Sequence, residues 1–212
     1  MKNIKIVNLC KVIKKNEILK NVNIYLEKGK IYGFIGKNGS GKTMLFRSLS
    51  GLVKPDAGEI FIDDEKIRFE DIVNYKVGMI LENHSMYPEF TGLQNLKYLA
   101  DINKYINEEQ IRQSIVDVGL NPDDKRPLRK YSLGMKQRII FAQAVMEKPD
   151  ILFLDEPTNA LDDEGVQLIR QLILKQKENG AIVLIASHNK EDIENLCDEC
   201  YKVSSGEIIR EE

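Results

Sequence analysis

Histidine occurs only twice in this 212-residue chain, at His84 and His188, and cysteine only three times. Cys197-Asp-Glu-Cys200 has a spacing used in metal and redox chemistry, yet no second cysteine pair or nearby histidine completes a zinc set. The expectation is therefore buried thiols at a helix–strand junction. No apolar run approaches the ~20 residues that cross a bilayer. The longest, residues 181–186 and 151–154, fit buried parallel strands instead. MKNIKIVNLC at the N-terminus lacks the apolar core and cleavage site of a signal peptide, so a cytosolic location is expected. Neither sign of charge dominates: 31 Lys and Arg face 33 Asp and Glu, for a net charge of −2. A global basic field is excluded, and no nucleic-acid partner is expected. Internal repeats and low-complexity segments are absent, and the length fits one domain with room for a subdomain.

What is present centres on residues 36–43, GKNGSGKT, which fit G-x-x-x-x-G-K-[ST]. The apolar run IYGFI precedes them and the helix-compatible MLFRSL follows, giving the strand–loop–helix context that this motif requires. Polyphosphate needs close backbone approach, so Gly36, Gly39 and Gly41 remove side chains and permit positive φ. The backbone from Gly36 through Asn38, Ser40 and Gly41 to Met44, with the helix N-terminus, then cradles anionic oxygens. Lys42 reaches the β- and γ-phosphates and the Thr43 hydroxyl ligates Mg²⁺. A nucleoside triphosphate is the expected ligand.

Strand-like segments cover residues 4–9, 18–26, 30–35, 58–63 and 77–81, with a turn over residues 63–66. From Thr91 to about Gly119 the period becomes helical, opening on the capping-box pattern Thr91-Gly-Leu-Gln94 and breaking at residues 121–124. A helix over 132–147, a strand over 151–154, a helix over 163–177 and a strand over 181–186 follow. A short helix over 191–197 then leads to a hairpin turning at Ser205-Gly206. This alternation predicts an α/β fold: a mainly parallel sheet with helices on both faces.

The apolar strand ILFLDE ends in two carboxylates. At the C-terminal edge of a parallel sheet, Asp155 can hold Mg²⁺ opposite Thr43. Glu156 then lies where a water attacking the γ-phosphate would be, which suits a general base. His188 follows the next apolar strand and can hydrogen-bond a γ-phosphate. Ser132, opening YSLGMKQR, makes a good N-cap whose hydroxyl and neighbouring N–H groups form an anion site.

These segments, in this order, resemble the nucleotide-binding subunit of ATP-binding cassette (ABC) proteins over essentially the whole chain. GKNGSGKT is similar to the Walker A loop, ILFLDEP to Walker B, NALD to the D-loop, Ser187-His188 to the switch loop and YSLGMKQR to the family signature. The resemblance implies a P-loop NTPase cassette that hydrolyses ATP with Mg²⁺. Its core would comprise residues 1–90 and 129–212, including an N-terminal antiparallel β subdomain, with an inserted α-helical subdomain over 91–128. It also implies a head-to-tail dimer, with itself or with a related cassette, in which Ser132 and Gly134 contact ATP held by the other subunit's Lys42. A permease on a separate chain would anchor the cassette to the inner face of the cell membrane, docking near Ser85, Met86, Tyr87, Pro88 and Tyr98.

Three motifs depart from the common family pattern, at four residues. Leu133 and Met135 stand where the signature has glycine and glutamine, and Glu82 stands where the Q-loop has glutamine. Both exchanges resemble exporters linked to bacitracin-type and lantibiotic peptide resistance, and Glu82 would ligate Mg²⁺ through oxygen. At the adenine-stacking position the chain has aliphatic Ile13. The leading expectation is the ATPase of a peptide-antibiotic exporter. A soluble ABC ATPase acting in macromolecular assembly or translation is the alternative, and a metabolic kinase leaves YSLGMKQR unexplained.

Overall fold

The computed structural model describes residues 3–67, 75–81 and 86–211. Glu82, His84 and Ser85 lie outside the described residues. The chain begins with a long hairpin, β1 (Asn3–Ile13) and β2 (Asn16–Glu27), followed by β3 (Ile31–Ile35) and α1 (Lys42–Leu49). A second hairpin, β4 (Ala57–Ile62) and β5 (Glu65–Ile67), precedes β6 (Val77–Ile80). Helices α2 (Gly92–Asn103) and α3 (Glu108–Asp117) come next, then a 3₁₀ turn (Leu128–Lys130) and α4 (Leu133–Val145). The remainder is β7 (Ile151–Asp155), α5 (Asp163–Glu178), β8 (Ile182–Ala186), α6 (Lys190–Leu196), β9 (Glu199–Ser204) and β10 (Glu207–Arg210).

The strands form two sheets. The antiparallel sheet has order β2-β1-β4-β5, and the six-stranded sheet has order β10-β9-β3-β8-β7-β6. All neighbours in the second sheet are parallel except the edge pair β9–β10. The period-two geometry of a strand divides β7 between two cores. Leu152 and Leu154 join a cluster with Leu96, Ile115, Ile139 and Ile173 from the helices, whereas Ile151 and Phe153 face Leu45 and Phe46 of α1 together with β1 and β2. Helices therefore lie on both faces, as expected, and the antiparallel sheet expected at the N-terminus joins α1 on the second. One face carries helices, and the other carries α1 and the antiparallel sheet.

β1 runs four residues beyond the segment expected from the sequence because a tight turn at Lys14-Lys15 extends the hairpin. Both lysines have positive φ, 48° and 68°. Such a two-residue turn matches the right-handed twist of the strands but favours Asn-Gly. A side chain in the left-handed region costs about 1–2 kcal/mol. The double substitution Lys14→Asn, Lys15→Gly is therefore expected to stabilise the fold. In a chain of this size each kcal/mol gained raises Tm by about 2–4 °C, readable by thermal unfolding; an unchanged or lower Tm would contradict the strain. The expected turn at Ser205-Gly206 is present with the same geometry, φ 49° and 86°.

The capping box read from Thr91 and Gln94 is present, with Gln94 N–H donating to Thr91 Oγ1 at 3.2 Å and the reciprocal bond at 2.8 Å. Asn107 and Gln110 repeat it at α3, at 3.0 Å in both directions.

Candidate functional site

β3 delivers the chain into the glycine loop. A Cβ on Gly36 would lie 2.2 Å from the carbonyl oxygen of Val203 in β9, so only glycine fits there. Gly41 has φ 121°, and a Cβ there would lie 2.8 Å from the carbonyl oxygen of Ile18. The β9–β10 turn braces the loop, since Gly206 N–H donates to Ser40 O at 3.0 Å and Lys20 N–H to Gly206 O at 2.9 Å. Lys42 is nearly buried and folds back over the loop, donating to Gly36 O at 2.6 Å and Lys37 O at 3.3 Å.

Helices α2 to α6 each have a side chain capping the N-terminus, but Gly41 offers none to α1. The N–H groups of a first helical turn have no intrahelical partner and carry partial positive charge. The Ser40 hydroxyl is buried without a hydrogen-bond partner among the described residues. An uncapped helix, a lysine ammonium and a partnerless buried hydroxyl fit a polyphosphate.

β7 and β8 bring the remaining groups to the same edge. Thr43 Oγ1 donates to Asp155 Oδ2 at 2.8 Å, so two hard oxygen donors converge at the start of α1, an arrangement that suits Mg²⁺. Glu156 follows in the left-handed region at φ 52°, its N–H donating to Ala186 O at 2.8 Å. Its Oε1 accepts from the His188 N–H at 3.1 Å and lies 2.7 Å from His188 Nδ1. Ser187 Oγ lies 3.4 Å from Oε2. The sequence placed Glu156 and His188 separately against the phosphates; the fold pairs them, leaving His188 Nε2 on a ring that is 71% exposed.

An open groove of about 600 Å³ runs between the first hairpin and the loop, lined by Val12, Lys15, Ile18, Lys20, Gly39 and Gly206 among others. Ile13 is not among its lining residues, although it is 40% exposed. Consecutive strand residues face opposite sides, so the groove is lined by Val12, the neighbour of the residue named from the sequence.

Ser132 Oγ accepts from Met135 N–H at 3.1 Å, as expected of an N-cap. Among the described residues, no hydrogen bond or ion pair joins Ser132 or Gly134 to the phosphate loop. Instead α4 leans on the segment after β7. Gln137 Nε2 donates to Pro157 O at 3.2 Å, and Arg138 pairs with Asp162 at 3.1 Å. Asp162 caps α5 through the Gly165 N–H, and that bond chiefly, with Arg138, holds its carboxyl below the usual range. Leu133 projects into solvent at 68% exposure.

Cys197 and Cys200 do lie where α6 passes into β9, but both are only partly buried, as is Cys10. Burial raises the Cys197 thiol pKa, assisted by Cys200 and Asp198, and burial raises that of Cys200. Both are poor thiolates. Sequence reasoning also missed a buried cluster behind the carboxylates, Thr158, Arg170 and Asp192, whose members are far apart in the chain.

The family model described as ABC transporter matches residues 19–159. The chain belongs to the ABC transporter family. It is 46% identical to the uncharacterized ABC transporter ATP-binding protein YybJ of Bacillus subtilis, over 97% of this chain and 94% of the relative. It is 38% identical to the lantibiotic transport ATP-binding protein SrtF of Streptococcus pyogenes, covering 98% and 90%. With the bacitracin transport ATP-binding protein BcrA of Bacillus licheniformis it shares 36% identity, covering 98% and 69%. The dimeric cassette MJ0796 superposes with a TM-score of 0.87 at 27% identity, covering 99% and 97% of the two chains. A second MJ0796 structure, a post-hydrolysis state bound to ADP and Pi, also gives 0.87, at 26% identity and the same coverage. The chain is thus an ATP-binding, ATP-hydrolysing transporter subunit with the ABC cassette fold, and transport is favoured over assembly or translation. No helix among the described residues is long and apolar enough to cross a membrane.

Proposed function

We propose that this cassette powers a peptide-antibiotic exporter through a Mg²⁺-dependent site shared between two copies or between this chain and a related cassette. The observation that carries the site assignment is the 2.8 Å approach of Thr43 to Asp155 beside the paired Glu156 and His188. Gly36, Asn38, Gly39, Ser40, Gly41 and Met44 offer backbone N–H groups to the phosphates, and Lys42 offers its ammonium. Thr43 and Asp155 would hold Mg²⁺, which supplies charge neutralisation on the β- and γ-oxygens when bound. Glu156 orients water and takes its proton, while His188 meets the γ-phosphate. Val12, with Ile13 beside it, covers the base. Ser132 and Gly134 complete the site of a second subunit, since their exposed helix start has an anion-binding end and no phosphate loop of its own within reach of a hydrogen bond.

Residues 91–128 form the helical subdomain in this reading, with 1–90 and 129–212 as the core. The permease docks at an exposed aromatic group, where Tyr98 meets Tyr87 edge-to-face at 5.0 Å between ring centroids and Phe90 lies 5.1 Å from Tyr87. Asn95, fully buried, fixes the base of this group by bonding Tyr87 N and O at 2.8 and 3.0 Å. The permease would hold the cassette at the cytoplasmic face of the membrane. The similarity to SrtF and BcrA supports peptide antibiotics as cargo.

The test replaces the chromosomal gene with a Glu156→Gln allele and measures growth inhibition by bacitracin and by a lantibiotic. Increased sensitivity to either is expected. Unchanged sensitivity to both overturns the cargo class. Recovery of ribosomes rather than a polytopic membrane protein with the affinity-purified cassette overturns the transporter assignment.

A further inference from the structure

The turn that carries Glu156 is poorly held by its own backbone. Glu156 and Ala160 both sit in the left-handed region, at φ 52° and 65°, which side chains disfavour. The internal bonds of the turn, Asn159 N–H to Glu156 O and Leu161 N–H to Thr158 O, are both 3.3 Å, beyond the usual range. The shortest anchor is a side chain: Thr158 Oγ1 donates to Asp192 Oδ2 at 2.5 Å. Asp192 is fully buried on α6 and Thr158 nearly so.

The same carboxylate serves two other elements. Its Oδ1 accepts from Arg170 of α5, at 2.8 Å from Nε and 2.7 Å from Nη2, so the charge is neutralised from that side. Burial opposes the Arg170 charge, but its bonds to Asp192 prevail and hold the guanidinium pKa above its ordinary value. Oδ2 lies 3.5 Å from Ser187 Oγ, which lies 3.4 Å from Glu156 Oε2. Ser187 Oγ also accepts the Asn189 N–H at 3.0 Å. One hydroxyl therefore stands between the Asp192 and Glu156 carboxylates, and its single proton serves one of them at a time.

We propose that Asp192, with Arg170 as its buried counter-ion, is a positioning residue for Glu156. It ties the turn after β7 through Thr158, with Ser187 of the loop after β8 packed between it and Glu156, so that Glu156 and His188 keep one mutual geometry. Arg170 satisfies one carboxylate oxygen, and the other is left to grip Thr158. This rests on the reading of Glu156 as the water-orienting group, and the experiment separates the two.

Thr158→Val keeps the branched shape, removes the hydroxyl and strands no charge. Asp192→Asn replaces the acceptor facing Thr158 by a donor while Oδ1 stays with Arg170, so the Thr158 hydroxyl loses its acceptor. The double variant Arg170→Met, Asp192→Leu removes the ion pair and fills its volume, an exchange that buried pairs often tolerate without loss of stability. For the full chain, ATP affinity is expected to stay within about twofold in all three, since the phosphate loop is untouched. Their kcat is expected to fall about 10- to 100-fold, the cost of a misplaced group. The apolar double variant is expected to regain the parent Tm while its kcat stays low. Return of kcat together with Tm would show that the pair only holds the fold, and would overturn the proposal. Parental kcat in Thr158→Val would overturn it as well, whether or not the double variant folds. Normal turnover in Glu156→Gln would instead refute the underlying assignment of Glu156.

Discussion

Glu156→Gln is expected to bind ATP normally, lose about 100- to 10,000-fold in turnover and accumulate as a nucleotide-bound dimer. The amide keeps the length and shape of the carboxyl, and its oxygen can still accept from the His188 N–H and ring nitrogen that meet Oε1. The left-handed backbone at position 156 and its bond to Ala186 O are untouched. The capacity to take a proton disappears, along with the distant acceptor that Oε2 offers Ser187 Oγ at 3.4 Å, and neither touches the phosphate loop, so the loss falls on kcat and not on affinity. Phosphate release and fluorescent-nucleotide binding separate the two, and size-exclusion chromatography with ATP reads the dimer. Turnover at the parental rate would remove Glu156 from the chemistry.

Ser132→Arg is expected to lower hydrolysis about 100-fold while sparing nucleotide binding by the single chain, in line with loss of preorganised donors at a developing negative charge. Ser132 is exposed at the start of α4 and its hydroxyl is occupied by the Met135 N–H. Ser132→Ala forfeits that cap alone, typically worth about 1 kcal/mol, and provides the stability control. The arginine adds bulk and charge where a second subunit's phosphates are placed by the head-to-tail reading. Mixing Ser132→Arg with Lys42→Ala gives the decisive result: in a mixed dimer both defects fall in one site and leave the other intact. Recovery of hydrolysis on mixing two inactive variants is expected, and a mixture no more active than its components would rule out the shared site.

What could be read from the sequence was local or strongly periodic. GKNGSGKT is legible as a contiguous motif between an apolar strand and a helix, and the fold then packs Gly36 and Gly41 against the carbonyls of Val203 and Ile18, leaving no room for a Cβ. The apolar runs of β7 and β8 are buried at every residue and read as parallel strands from composition alone. Thr91 and Ser132 cap helices because an oxygen three residues before an N–H needs no tertiary help. The box at Asn107 and Gln110 has the same spacing and could have been found by the same rule.

The remainder depends on distant contacts or on parity. Lysine has no preference for the left-handed region, so Lys14-Lys15 gave no sign of a turn and β1 was expected to stop early. Val12 and Ile13 are equally apolar, and only strand geometry brings the first of them to the groove. Asp192 joins Thr158 and Arg170 across 34 and 22 residues, a convergence produced by packing α5 and α6 behind β7 and β8. The antiparallel layer on one face was expected from the family resemblance, because two apolar faces alone do not say which is covered by strands.

The lysine turn has a kinetic side. Lys15 and Lys20 line the groove beside Gly39, with Glu17 as the one opposing charge there, on a molecule whose net charge is −2. A polyanion approaching this chain therefore meets overall repulsion at long range and local attraction only within about one Debye length, ~8 Å at physiological salt. Capture becomes a short-range affair, faster at moderate ionic strength than the net charge alone predicts, because salt screens the distant repulsion before it screens the nearby lysines. An Asn-Gly turn would make a firmer hairpin and leave Lys20 without Lys15 to draw a polyanion in.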